Sequence, residues 1–175
     1  MLNFQEYKNS INEAKGDQYG CLMLYFDVKN WDEYTSLIDS DDTHEYGIED
    51  NPHVTILYGF DQSVSADNFK NLLVTELSAS EIGKDLKVEN ISKFENPEFD
   101  VLKFDLESSR LRMANLMVKM EPHTSTFPTY SPHLTLAYLQ PGLADSYISK
   151  IDDLELKMSN FRFVYSDKDS NKTTF

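Results

Sequence analysis

The chain of 175 residues carries 16 Lys and Arg against 30 Asp and Glu, a formal charge of −14, with 40% apolar residues that include 11 Phe and 10 Tyr. That length fits one ordinary domain or two small halves sharing a core, and that apolar content excludes a disordered chain. The negative charge opposes wide, phosphate-neutralising contact with duplex nucleic acid, so an anionic ligand is expected to be small and locally held.

Taken in chain order, residues 1–20 contain Glu6, Lys8, Glu13, Lys15 and Asp17 and no apolar run, which does not read as a targeting signal. Phe4, Tyr7, Ile11 and Ala14 recur at helical spacing before Gly16, predicting a helical extension over 1–19. Residues 21–28 read as a buried strand, and their apolar core is too short for a membrane span. Trp31, Tyr34, Leu37 and Ile38 predict a helix over 31–38, followed by a loop over 39–51 and a strand over 53–60. Ser65 is a plausible N-cap for a helix running to about Leu77, with Phe69, Leu72, Leu73 and Leu77 on one face, and 86–94 closes the first half as a strand. The second half repeats this order: strand 100–106, helix 108–120, loop 121–131, strand 133–139, helix 143–151, strand 154–165. The tail 167–174 is polar and reads as loose. The expected organisation is a first lobe over 20–98 and a second over 99–166, with 167–175 as tail. The single cysteine, Cys21, excludes an internal disulfide, so a reducing, cytoplasmic setting and a monomer are expected.

The repeat carries the chemistry. Residues 52–58 read Pro-His-Val-Thr-Ile-Leu-Tyr and residues 132–138 read Pro-His-Leu-Thr-Leu-Ala-Tyr, the same frame 80 positions later. Weaker matches flank it: Tyr25–Val28 with Lys103–Leu106 at a displacement of 78, and Lys87–Ile91 with Lys157–Phe161 at 70. Strand alternation puts His53 and Thr55 on one face, and His133 and Thr135 likewise. Across a pseudo-two-fold axis, two imidazoles and two hydroxyls can meet in one cleft. One imidazole would take a proton from an attacking oxygen and the other would protonate a leaving oxygen, while the hydroxyls donate to phosphate oxygens, a scheme that requires no metal.

Duplicated His-x-Thr on equivalent strands of a chain this size resembles the two-histidine (2H) phosphoesterase superfamily, which includes bacterial 2′-5′ RNA ligase-like proteins, cyclic phosphodiesterases and phage anti-CBASS nucleases. The resemblance runs over about residues 20–165 and rests on His53-Val54-Thr55, His133-Leu134-Thr135 and the repeat. It implies an α+β fold of two ferredoxin-like βαβαβ halves related by a pseudo-two-fold axis, bilobal with a central cleft. It further implies metal-independent, cofactor-free cleavage of a 2′,3′-cyclic or related phosphodiester, with His53, Thr55, His133 and Thr135 catalytic.

The expected ligand is a small nucleotide or cyclic oligonucleotide, with degradation of cyclic oligonucleotide immune signals by a viral enzyme as a specific case. The alternatives are processing of RNA ends bearing a 2′,3′-cyclic phosphate, and a module that sequesters a cyclic nucleotide without turnover. Tyr46, Phe127, Tyr130 and Tyr138 are candidates for stacking a base, against a packing role for each. His44 and His123, 79 positions apart, either help hold substrate or are surface residues, and their neighbours Asp41-Asp42-Thr43 and Glu121-Pro122 favour solvated loop. A zinc site built from several histidines would leave the threonines without a role. Lys29, Lys103 and Arg110 are candidate phosphate contacts.

Overall fold

The computed structural model describes residues 19–73, 77–125, 129–151 and 155–175. The N-terminal helix expected around Phe4, Tyr7, Ile11 and Ala14 lies outside the described residues. In chain order the elements are β1 (Gly20–Val28), α1 (Trp31–Thr35), β2 (Thr43–Ile48), β3 (His53–Phe60), α2 (Ala66–Asn71), α3 (Ala79–Asp85), β4 (Lys87–Glu95), β5 (Asp100–Glu107), α4 (Ser109–Val118), β6 (His133–Leu139), α5 (Ala144–Ile148), β7 (Met158–Ser166) and β8 (Lys172–Thr174).

The strands form two four-stranded antiparallel sheets, ordered β3-β1-β7-β8 and β2-β6-β5-β4. Each sheet draws on both halves of the chain, so the sheets do not coincide with the stretches 20–98 and 99–166. The connection after β4 is short, and the Asn96 side chain accepts from the backbone N–H groups of Glu98 and Phe99 at 2.9 and 3.0 Å. That turn folds β4 back onto β5 as a hairpin, the nearest pairing open to consecutive strands. β7 then takes the equivalent place beside β1.

Three further expectations change. Residues 43–48, read as loop, are the edge strand β2, whose pairing with β6 is interrupted at Gly47 with φ 68°. Glu45 and that glycine hide its strand pattern. The helix expected over 65–77 is shorter: α2 starts at a box in which Asn68 accepts from the Ser65 backbone N–H, and α3 is a separate helix. The tail is no loose end, because β8 pairs with β7 through Val164↔Thr174 and Ser166↔Lys172. Asp167 makes this turn, accepting from the backbone N–H groups of Asp169 and Asn171 at 2.9 Å each.

Alternation then sorts side chains onto two faces. Leu22, Leu24, Val54, Ile56, Phe104, Leu134 and Leu136 are fully covered and pack with Leu111, Ala114 and Val118 of α4 in the main core. A second, small apolar cluster, Phe99 and Val101 with Tyr46, Phe94 and Tyr138, is separate from it.

Candidate active site

β3 and β6 approach within 8 Å between Cα atoms without sharing a ladder. This brings the two motif strands together at the centre of the molecule. On each, buried and half-buried residues alternate in the same order: His53, Thr55 and Tyr58 are half-buried, as are His133, Thr135 and Tyr138, while Val54, Ile56, Leu134 and Leu136 are buried. All four expected catalytic residues therefore lie on the half-buried faces of these neighbouring strands.

The local bonding repeats at the same 80-residue displacement. The Phe26 N–H donates to the Pro52 carbonyl at 3.2 Å, and the Leu106 N–H to the Pro132 carbonyl at 3.0 Å. His53 Nδ1 lies 2.8 Å from the Asn51 carbonyl, and His133 Nδ1 lies 2.9 Å from the Ser131 carbonyl. A carbonyl can only accept, so Nδ1 carries a proton in both rings. Each Nε2 is thereby left as the atom that gains or gives the exchangeable proton.

Both strands carry a bulge at the same place. β1 pairs Leu22 with Leu57 and Met23 with Thr55, skipping Ile56, and β5 pairs Leu102 with Ala137 and Lys103 with Thr135, skipping Leu136. The extra residue turns the next tyrosine, Tyr58 or Tyr138, onto the face of the histidine and threonine. Each bulge carbonyl has a partner: Asn115 Nδ2 donates to Ile56 at 2.6 Å, and the Glu49 N–H to Leu136 at 3.0 Å.

These pairings correct the weaker matches of the repeat. Met23 faces Thr55 as Lys103 faces Thr135, and Tyr25 faces His53 as Asp105 faces His133, a displacement of 80 rather than 78. On the next strand, Val164 faces Met23 as Ser92 faces Lys103, a displacement of 72 rather than 70. Both errors are slips of two residues, which preserve the face of every side chain and leave no trace in the apolar pattern.

The surroundings of the two imidazoles differ. His53 stacks on Tyr25, ring centres 5.0 Å apart and planes 28° apart, with the Arg162 guanidinium 5.8 Å from the Tyr25 ring centre. His133 meets the edge of Phe94 at 5.0 Å and 88°. The protein around His133 pushes its imidazole down to about 4, mainly by desolvation; the Lys103 ammonium and His53 push the same way, opposed by the Ser131 carbonyl and Asp105. Beside His133, Glu89, Asn90, Lys103, Asp105, Arg112 and Ser131 line an open cleft of about 540 Å³.

Tyr46 and Tyr138 meet edge to face at 5.5 Å, and both contact Phe99. Together with Phe94 they extend an aromatic wall along the half-buried side of sheet β2-β6-β5-β4, starting at His133. His44 adds to it, 4.8 Å from Tyr46 and 5.0 Å from Phe99, and is no solvated loop residue. Tyr130 is placed differently. Its hydroxyl donates to the Thr55 carbonyl at 3.0 Å, and burial pushes its ionisation up, so it ties the segment before β6 to β3. Phe127 lies outside the described residues. His123 bridges Phe60 at the edge of β3, with Nδ1 2.8 Å from the Glu121 carbonyl. Gly59, at φ 93°, permits that approach, since a Cβ there would meet Thr124 Oγ1 at 2.8 Å.

Of the phosphate candidates, Lys103 is in the site, while the backbone N–H of Arg110 donates to the Asp85 carboxylate and that of Lys29 to the Lys157 carbonyl. Tyr25, Phe94, Asp105 and Ser92 escaped the sequence reading, because each reaches the site by pairing across strands. The available signal was Lys103 itself, a charge inside an apolar strand. Among the described residues no group of three or more His, Cys, Asp or Glu side chains is arranged to hold a metal ion. No helix among them is long and apolar enough to cross a membrane.

No protein-family model and no curated protein matches the chain. Among solved structures it is similar to Usb1 of Kluyveromyces marxianus, determined with uridine monophosphate, with a TM-score of 0.57 over 91% of this chain and 98% of that one at 11% identity. The likeness is one of fold: the α+β arrangement of two four-stranded antiparallel sheets is similar to that of Usb1.

Proposed function

We propose that this protein is a metal-independent phosphodiesterase that cleaves a small nucleotide or RNA end by acid–base catalysis between His53 and His133. The observation that carries this reading is the pair of matched imidazoles, each with Nδ1 bound to the carbonyl two residues earlier, on neighbouring strands. In hydrolysis, one Nε2 takes the proton of the attacking oxygen as the new O–P bond forms, and the other Nε2–H protonates the oxygen that leaves. Thr55 and Thr135, on the same faces, would donate to the non-bridging oxygens. Each proton transfer of this kind is worth about 10²–10⁴-fold.

Tyr46, Phe94 and Tyr138 offer aromatic surface for a nucleobase, at roughly 1–3 kcal/mol for a stacked base. The fold similarity to a protein determined with uridine monophosphate favours a nucleotide ligand, and RNA ends bearing a 2′,3′-cyclic phosphate, which the same two-imidazole chemistry can open, form the first arm of a substrate panel. Cyclic di- and trinucleotides form its second arm.

The test is incubation with that panel in EDTA and chromatography of the products. Turnover that survives chelation supports the reading. Tight binding with no product would replace it with nucleotide sequestration, and turnover abolished by chelation would replace it with metal-dependent chemistry.

A further inference from the structure

Two identical imidazoles related by a pseudo-dyad could pass a proton either way, so a directed reaction needs something that makes them unequal. The residues under the second motif supply it. Lys103 is 4% exposed, although it sits in a strand whose neighbours are apolar. Its ammonium donates to Asp105 Oδ1 and, at 2.6 Å, to Ser92 Oγ, while its remaining side lies 4.2 Å from the centre of the Phe94 ring. Ser92 Oγ donates onward to Asp105 Oδ2 at 2.7 Å. The cluster is closed: Asp105 and Ser92 take two of the ammonium's donors, and the Phe94 ring covers its remaining side. Lys103 thus acts on the cleft through its field rather than by gripping a phosphate.

The corresponding places under the first motif are Met23, Tyr25 and Val164. An uncharged trio there faces a charged trio here, in matched register. We propose that the Lys103–Asp105–Ser92 cluster is a positioning device that sets the direction of proton transfer, holding His133 as the imidazole that starts neutral and takes a proton, and leaving His53 to supply one. This rests on the phosphodiesterase reading above.

In the resulting step the lone pair of His133 Nε2 takes the proton of the attacking water or ribose hydroxyl, whose oxygen forms the new bond to phosphorus. The phosphorus–oxygen bond on the opposite side breaks, and the leaving oxygen receives the proton from His53 Nε2. Solvent returns the proton from His133 to His53 and closes the cycle. The charged and titratable groups that act on His133 are Lys103 and Asp105 from β5 and His53 from β3, while Glu89 from β4 and Arg112 from α4 line the cleft next to Ser131 and Pro132. Arg112 is already bridged to Glu107 at 2.7 Å, which dulls its field. Burial is the largest influence on His133, and Lys103 and Asp105 bias it further with opposite signs.

The sign makes the test. Histidine Cε1–H titration by NMR on the full chain, with His133 identified through His133→Gln, should place His133 below the ordinary histidine range in the wild type. Lys103→Met leaves Asp105 unpaired and should raise the His133 titration by on the order of one pH unit, whereas Asp105→Asn leaves Lys103 unpaired and should lower it. Lys103→Arg should stay near wild type. Shifts of the same sign, or of no more than about a few tenths of a unit in both variants, would overturn the proposal. Should Lys103→Met fail to fold, the wild-type His133 titration and Asp105→Asn decide.

Direction is read separately with uridine 3′-(p-nitrophenyl phosphate), whose leaving group needs little protonation. The loss caused by His53→Ala should shrink at least about tenfold on this substrate, while that of His133→Ala stays. The reverse pattern would overturn the assignment. Opposite titration shifts with no turnover of any phosphodiester would uphold the cluster's hold on His133 and instead remove the phosphodiesterase reading.

Discussion

Asn115 links the helical layer to the site, and replacing it with leucine tests that link. Asn115 is 2% exposed on α4, and its Nδ2 donates at 2.6 Å to the carbonyl of Ile56, the bulged residue directly after Thr55. Leucine keeps the branching of the side chain but is larger and removes the donor, so crowding adds to the loss of the hydrogen bond. A buried carbonyl left without a partner costs about 1–3 kcal/mol. For a chain of this length that corresponds to a fall in Tm of about 4–8 °C at the middle of the range. Asn115→Asp should cost more, because a carboxylate oxygen would face the carbonyl in a buried setting. Leu116, the exposed neighbour on the same helix, is the control, and Leu116→Ala should stay within about 0.5 kcal/mol. The assay is urea denaturation followed by tryptophan fluorescence, with calorimetry for Tm. If Asn115→Leu matches wild type within about 0.5 kcal/mol, the helix does not hold the bulge and the carbonyl has another partner.

His53→Ala and His133→Ala should each lose at least about 100-fold in turnover on the best substrate of the panel while keeping the wild-type Tm within a few degrees; comparable activity in either would remove that histidine from the mechanism. Stability should also depend on His133. Its folded value, about 4, lies below the ordinary histidine value of about 6.5, so its contribution is complete above pH 6.5 and is lost as pH falls toward 4. The loss should be about 2–3 kcal/mol, and His133→Gln should flatten that window. The lowered carboxylates Asp85, Glu107 and Asp167 lose their contribution only below about pH 5, so the upper part of the window reports His133. Tyr46→Ala and Tyr138→Ala should raise KM several-fold with little change in kcat, and an unchanged KM in both would return the aromatic wall to packing.

The strands β1, β3, β4, β5 and β6, the helix α4 and the duplicated His-x-Thr were all legible in the residue order. Their signals are local: an alternating or apolar run, a capping serine, a repeated heptapeptide. Alternation alone also put His53 beside Thr55 and His133 beside Thr135. Tyr138 was named from its place in the repeat, yet its orientation depends on a bulge that alternation does not reveal.

What required the tertiary structure was everything that depends on which strand lies next to which. The exchange of β4 and β7 between the sheets, the placing of Tyr25 against His53 and of Phe94 against His133, and the closing of Ser92, Lys103 and Asp105 into one cluster are cross-strand facts. A slip of two residues along β1 or β5 would leave every apolar side chain facing the core, so the pattern of the sequence is blind to it. That slip would nevertheless move Lys103 out from beside Thr135 and Asp105 out from beside His133. The chain order determined that two imidazole–hydroxyl units exist and on which faces they lie, whereas packing decided which charges surround each one, because electric fields depend on distance in space and not on separation along the chain.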